Sequence, residues 1–471
     1  MFRPLVAVLS LVLGALQPAS AVWPAPQSYT KGNSFLYIHQ NLEITYNGEF
    51  VRWSFCPVRG TDPILTAQQL PYTYGYTPRG PTSKEIVQAG VSRALGAIFD
   101  SKFVPWMLRK RGELSSFEPD VYTGQKWIKN LQIVQTSHDK PSAFKPLAGE
   151  VDESYELNVS SGGDVKLKAV SSIGVLRGLE TFTQLFFQHS TGTFWYTPFA
   201  PVSIKDSPKF PHRGILLDTS RHWFSVADIK RTIDAMAWNK LNRLHVHVTD
   251  SQSWPLEIPS MPELAKKGAY SPTQTYSPAD IDEIQKYGQY RGVEVYFEID
   301  MPGHIGSVAE SHPELIVAYD AQPYHWWCAQ PPCGAFKLNN TKVEAFLDKL
   351  LDDLLPRLAP YSAYYHTGGD ELNANDSMLD EGIRSNDTAV LQPLLQKFID
   401  NLHRRVRKAG LAPLTWEEIP LHWNVTMGKD VVVQAWLGGS SVKKLASMGH
   451  KVIDSNYNYW VSFRAGYLGS G

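Results

Sequence analysis

Residues 214–250 read GILLDTSRHWFSVADIKRTIDAMAWNKLNRLHVHVTD. A short apolar run, 214–218, ends on the carboxylate of Asp218. Ser225 and Asp228 then form a capping box, and Ile229, Ile233 and Met236 recur on one face of the helix it opens. A second apolar run, 243–248, leads to another carboxylate, Asp250. Strand, helix and strand in so short a span specify a parallel pair, because parallel strands need a crossover that a helix supplies.

The unit repeats towards the C-terminus. Further apolar runs occupy 293–299, 363–367, 413–416, 431–436 and 451–454, with helical spacing between them. Ser277-Pro-Ala-Asp280 is a second capping box, with proline at the first helical position. A later helix carries Leu391, Leu394, Leu395, Phe398, Ile399 and Leu402 and is closed by Gly410. The pattern predicts an α/β fold, a TIM (β/α)8 barrel over residues 208–471, with seven strand candidates and no eighth. A doubly wound open sheet is the alternative. No glycine-rich phosphate loop follows the first strand, which counts against a nucleotide-binding version.

Residues 22–207 have a mixed pattern. Residues 130–134 and 155–159 alternate as half-buried strands do, 83–99 and 174–187 have helical spacing, and Gly162-Gly163 marks a turn. They predict a smaller α+β domain, joined to the barrel through the stiff segment Ser207-Pro-Lys-Phe-Pro211. Residues 1–21 read as a cleaved secretory signal: Arg3, an apolar stretch too short to span a bilayer, then Ala19-Ser20-Ala21. Five sequons, at Asn158, Asn339, Asn375, Asn386 and Asn424, fit a secreted glycoprotein. Of the three cysteines, Cys328 and Cys333 are spaced for a small disulfide-closed loop, which leaves Cys56 over.

Composition narrows the function. The 45 basic and 46 acidic side chains of the 471 residues give a net charge of −1, without the basic footprint of a nucleic-acid binder. No apolar run is long enough for a membrane span. The 14 tryptophans and 22 tyrosines fit either core or platforms for a ligand with apolar faces.

The predicted strand ends are loaded with polar and aromatic groups: Asp218 and Arg221, Asp250, Asp300 and His304, His366, Asp370 and Glu371, Trp416 with Glu417 and Glu418, and Trp436. In a parallel barrel these ends surround one mouth, although a single aspartate after a strand can equally cap the next helix. Gly368-Gly369 lets the chain leave extended geometry, so that Asp370 and Glu371 can face one site. Two close carboxylates push their proton affinities apart, as acid-catalysed cleavage of a glycosidic bond requires. Sequence neighbours are poorly placed to flank one sugar from opposite sides, so a nucleophile from the substrate itself fits better than a second carboxylate. His245, His247, Asp250, His304, His366, Asp370 and Glu371 could instead hold a divalent metal, or the histidines could be barrel-interior groups bonded to carboxylates. There is no Gly-x-Ser-x-Gly elbow for a serine nucleophile.

Three segments in order, 212–222 (HRGILLDTSRH), 300–304 (DMPGH) and 366–371 (HTGGDE), resemble the β-N-acetylhexosaminidases of glycoside hydrolase family 20, particularly secreted fungal enzymes. The similarity runs from about residue 22 to 460. It implies removal of terminal non-reducing N-acetylglucosamine or N-acetylgalactosamine from chitooligosaccharides and glycans, the substrate's acetamido oxygen attacking C1, with no metal and no cofactor. It makes Glu371 the general acid and base and Asp370 the group that orients the acetamido N–H. His304 tunes Glu371, with Asp250 or Asp300 as its partner. Arg213 and Asp250 belong to the substrate-binding set, Arg213 on sugar hydroxyls, and Trp416 and Trp436 wall the acetamido pocket. A homodimer built through barrel elements is left open.

The resemblance fades after Trp460. Val461 and Phe463 stand where the family places a tyrosine and an aspartate on the sugar, and 461–471 have no strand or helical period. The expectation is a barrel incomplete at its last strand, its tail read from a retained intron or a truncated gene. Cys56 is then either a free thiol or the partner of a cysteine in the missing part. An inactive or unstable relative that at most binds amino sugar is the alternative to an active enzyme.

Overall fold

The computed structural model describes residues 22–53, 80–100, 117–120 and 124–456. The expected leader, Cys56 and the tail from Trp460 onward lie outside the described residues. Seven parallel strands form one curled sheet: β1 (Gly214–Asp218), β2 (Arg243–Thr249), β3 (Glu294–Ile299), β4 (Tyr364–His366), β5 (Ala412–Trp416), β6 (Val432–Ala435) and β7 (Lys451–Asp454). They are paired in sequence order. Between them run α1 (Val226–Trp238), α2 (Pro278–Gln289), α3 (Thr341–Leu358), α4 (Thr388–Lys408) and α5 (Gly439–Ser447). Ser277 and Asp280 close a reciprocal capping box at α2, and Ser225 accepts from the Asp228 N–H at α1.

Strand parity separates the two faces. Leu244, Val246 and Val248 of β2 and Val295, Phe297 and Ile299 of β3 pack against the helices with Ile229, Ile233, Leu350 and Ile399. The alternate residues, His245 and His247 on β2 and Tyr296 and Glu298 on β3, are buried on the other face. The interior of the barrel therefore carries buried polar groups at His245, His247 and Glu298. Among the described residues β1 and β7 each pair on one side only, and Ile215 and Leu216 of β1 are 40% and 37% exposed. Among the described residues the sheet is therefore an incomplete TIM barrel with two unpaired strand edges.

The described residues of the N-terminal part form an eight-stranded mixed sheet with helices Ser83–Asp100 and Ser172–Thr183 packed on it around a separate core. It plugs the lower end of the barrel. Leu147 packs with Tyr296, Tyr364, Leu414 and Val432. Arg243 Nη2 donates to the Pro146 carbonyl at 2.7 Å, and Lys240 Nζ reaches Thr181 at 2.7 Å and Asp206 at 3.3 Å. With that end closed, the C-terminal strand ends are the open mouth. No helix among the described residues is long and apolar enough to cross a membrane.

Candidate active site

After β4 the chain turns sharply. Gly368 and Gly369 have φ of +68° and +107°, and Glu371 itself has +50°. A Cβ on Gly368 would lie 1.7 Å from Asp300 Oδ1, so the Asp300 carboxyl occupies the space that any side chain would need. The Gly369 N–H donates to that same oxygen at 2.7 Å. This tight passage brings both following carboxylates to one imidazole. His304 Nε2 lies 3.2 Å from Glu371 Oε2 and 3.8 Å from Asp370 Oδ2.

The other nitrogen of that ring leads inward. His304 Nδ1 is 3.2 Å from Asp250 Oδ1, and Asp250 Oδ2 is 2.8 Å from both His247 Nε2 and Arg221 Nη2. His247 Nδ1 is 2.8 Å from Glu298 Oε2. Glu298 also receives the Trp416 indole N–H at 2.7 Å, and lies 2.8 Å from His245 Nε2 and 3.0 Å from His366 Nδ1. A continuous chain of charged groups thus runs from the barrel centre to Glu371.

Burial and charge act in opposition along this chain. Burial disfavours charge on His304, but Asp250 and then Asp370 outweigh it and raise its proton affinity well above the ordinary histidine value. His247 is raised in the same way, by Glu298 and Asp250 against burial. Burial works against ionisation of Glu298, yet His366, His247 and His245 hold it well below the usual range. Asp300 differs: burial first, and then the charge of Asp370, raise its carboxyl well above the usual range. The carboxyl pushed towards its protonated form beside Asp370 is therefore Asp300, a group distant in sequence. Burial and Asp370 also push Glu418 up to about 8, and Glu418 accepts the Trp436 indole N–H at 3.0 Å.

Among the described residues three groups bring ligand atoms within 4.8 Å of one another: His245, Glu298 and His366; His247, Glu298 and Asp300; and Asp300, His304 and Asp370. In the first two Glu298 is shared and already accepts from Trp416 and a histidine, so the interior histidines have carboxylate partners of their own.

Residues 210–464 match the family model described as Glycosyl hydrolase family 20, catalytic domain, and residues 22–185 match one described as beta-acetyl hexosaminidase like. The chain belongs to glycoside hydrolase family 20. It is 39% identical over 467 residues to a beta-hexosaminidase of Arthroderma benhamiae, covering 95% of this chain and 76% of that protein. It is 37% identical over 348 residues to a chitooligosaccharidolytic beta-N-acetylglucosaminidase of Bombyx mori, covering 68% and 57%. The solved Flavobacterium johnsoniae chitobiase superposes with a TM-score of 0.69 at 26% identity, over 93% of this chain and 59% of that one. The chain thus spans a little over half to three quarters of the length of these relatives.

One expected site residue of this family 20 chain is displaced. Arg213 precedes β1 at the end away from the mouth, where it donates to Glu153 Oε2 at 2.6 Å and to the carbonyls of Lys240 and Phe210 at 2.9 and 2.6 Å. It ties the barrel to the N-terminal sheet and is not a sugar ligand. Eight residues on, Arg221 leaves the other end of the strand and spans Asp218 and Asp250. The resemblance carries both arginines within one motif, and only the strand polarity tells them apart. Glu298 is masked in the sequence because it sits inside an apolar run. Its parity with Asp300, two residues on, was the available signal.

Exchanging the two arginines separately tests this. Arg213→Met is expected to lower the thermal midpoint while KM stays within about twofold. Arg221→Met is expected to raise KM by about tenfold or more. Equal KM effects would remove the distinction. Glu153 provides a pH readout. Despite burial, Arg177 and Arg213 hold it at about 2 against an ordinary 4.5. Its contribution to stability is therefore present above about pH 4.5 and lost as pH falls towards 2. Glu153→Gln should remove that part of the acid sensitivity of the thermal midpoint.

Proposed function

We propose that the protein is an exo-acting β-N-acetylhexosaminidase that releases terminal non-reducing N-acetylglucosamine or N-acetylgalactosamine from chitooligosaccharides and glycans by a retaining, substrate-assisted route. The observation that carries the reading is the placing of Asp370 and Glu371 on one side of His304. Retaining hydrolysis with an enzyme nucleophile uses two carboxyls about 5 Å apart that flank the sugar. A pair sharing one imidazole suits one acid and one orienting charge, leaving the nucleophile to the substrate.

In the first step the acetamido oxygen attacks C1, the bond from C1 to the leaving oxygen breaks, and Glu371 gives its proton to that oxygen. Asp370 accepts the acetamido N–H and stabilises the positive charge that spreads over the new ring. Asp300 stands beside it, its carboxyl raised by burial and by the Asp370 charge. In the second step water adds to C1, Glu371 takes a proton from it, and the acetamido C=O reforms. The sugar leaves with its original β configuration. Trp416 and Trp436 wall the methyl group, while Arg221 replaces Arg213 as the charged group available to sugar hydroxyls. We further propose that the chain is secreted, which the leader-like 1–21 segment and the Cys328–Cys333 disulfide support.

Turnover of p-nitrophenyl N-acetyl-β-glucosaminide by the full chain, with NMR of the first anomer released, tests the reading. The β anomer is expected, together with no turnover of the corresponding glucoside, which lacks the acetamido group. Release of the α anomer, or equal rates on both substrates, would overturn it. Asp370→Asn should lower kcat on the acetamido substrate by about 10²-fold or more.

A further inference from the structure

We propose that Glu418 is a positioning residue: by accepting the Trp436 indole N–H it fixes one wall of the acetamido pocket, and so limits the size of the N-acyl group that the site takes. This rests on the hexosaminidase reading and deepens it towards substrate specificity.

The two tryptophans assigned to that pocket are held differently. Trp416 is buried, its ring centroid lies 5.0 Å from that of His366, and its N–H is bonded inside the barrel to Glu298. Trp436 is only partly buried, and Leu437 beside it is 60% exposed. A ring partly in water changes rotamer readily unless something pins it. Glu417 pins the main chain: its Oε1 accepts the N–H groups of Trp436 and Leu437, both at 2.6 Å. Glu418 pins the ring, through the 3.0 Å bond from the indole nitrogen. The two strands pair as far as Trp416 with Gln434, and the Glu417 N–H donates to the Gln434 carbonyl at 3.0 Å. Consecutive carboxyls after β5 thus hold the backbone and the ring of the residue that follows β6.

Packing alone does not account for a carboxyl at this place. The charges acting on Glu418 are those of Asp370 and Glu417, both acidic, and its Oε2 is buried without a hydrogen-bond partner among the described residues. A buried polar group so placed costs free energy that an apolar side chain of the same size would not. The influence of Asp370 also puts Glu418 at the reacting end of the barrel. With its proton affinity raised to about 8, first by burial and then by Asp370, Glu418 lies on the protonated side at neutral pH. It can accept the indole N–H without bringing a second negative charge to the acetamido group. The reaction needs that group folded back so that its oxygen meets C1, with the methyl against the wall. A wall free to swing admits a longer acyl chain and holds the acetyl group less firmly for attack.

The test uses the full chain with the N-acetyl and N-propionyl forms of p-nitrophenyl β-glucosaminide, which differ by one methylene. A fixed wall should make the wild type prefer the acetyl form by about tenfold or more in kcat/KM. Glu418→Leu fills the space but cannot accept the indole N–H, and should narrow that preference to about threefold or less, chiefly through a lower kcat on the acetyl form. Glu418→Gln has the shape of the protonated carboxyl and keeps the acceptor, so it should retain the preference. Trp436→Phe keeps a ring without the donor, and should lose the preference with Glu418 intact; it decides the matter if Glu418→Leu does not fold. A wild type without the preference would overturn the proposal. So would equal losses on both substrates in Glu418→Leu, which a merely structural role produces, or a Glu418→Gln variant as poor as Glu418→Leu. If the wild-type chain cleaves neither substrate, the hexosaminidase reading is what falls. Calorimetry of N-acetylglucosamine and N-propionylglucosamine on wild type and Glu418→Leu then still decides whether Glu418 sets the wall.

Discussion

Glu371→Gln is expected to lower kcat on chitobiose by about 10²–10⁴-fold, the range that removal of a general acid and base produces. Glutamine matches glutamate in size, so the fold and the His304 ring keep their places. What is lost is the proton for the leaving oxygen and, in the second step, the base for water. The deficit should depend on the leaving group. A sugar alkoxide is a poor leaving group without a proton, whereas p-nitrophenolate leaves readily. The first step on the p-nitrophenyl substrate should therefore suffer less than on chitobiose, and single-turnover measurements separate the steps. Equal losses on both substrates in the first step would mean that Glu371 does not protonate the leaving oxygen.

Glu298→Gln is expected to reduce stability by about 3–5 kcal/mol, the range for removing one partner of a buried charged pair. That is a large part of the about 5–15 kcal/mol that holds a typical domain together. The carboxylate is fully buried and gathers His245, His247, His366 and Trp416, so its loss leaves a charged His247 without half of its compensation. The pH dependence has a definite sign. Glu298 is held below its ordinary 4.5, so its contribution is present above that pH and lost as pH falls. His247 is raised above its ordinary 6.5, so its contribution is full below that pH and declines as pH climbs towards its folded value. The gap in thermal midpoint between wild type and variant should be widest from about pH 4.5 to 6.5. A gap that does not vary with pH would show that the chain of charges does not hold the barrel. Because Glu298 also orients the Trp416 indole, kcat should fall as well.

Much of the architecture was legible because its signals are local. The runs at 214–218 and 451–454 are the strands observed, and the other five differ at their ends by one or two residues. The capping serines 225 and 277 open helices, and Gly410, at φ +79°, follows one. The predicted helix at 174–187 ends earlier, at Thr183, and Phe187 joins a short strand instead. Its apolar residues face the sheet core either way, so periodicity could not separate the two.

The amino-acid order by itself determined which residues chemistry could use: alternation sets strand parity, parity sets which groups turn inward, and the double glycine frees Asp370 and Glu371 to turn together. Which arginine lies at the mouth, which carboxyl beside Asp370 is pushed towards its protonated form, and the gathering of three histidines and an indole on Glu298 were decided only by the folded chain. Strand direction, desolvation and charge at 3 Å are properties of groups brought together from separate β–α units, and no single stretch of sequence contains them.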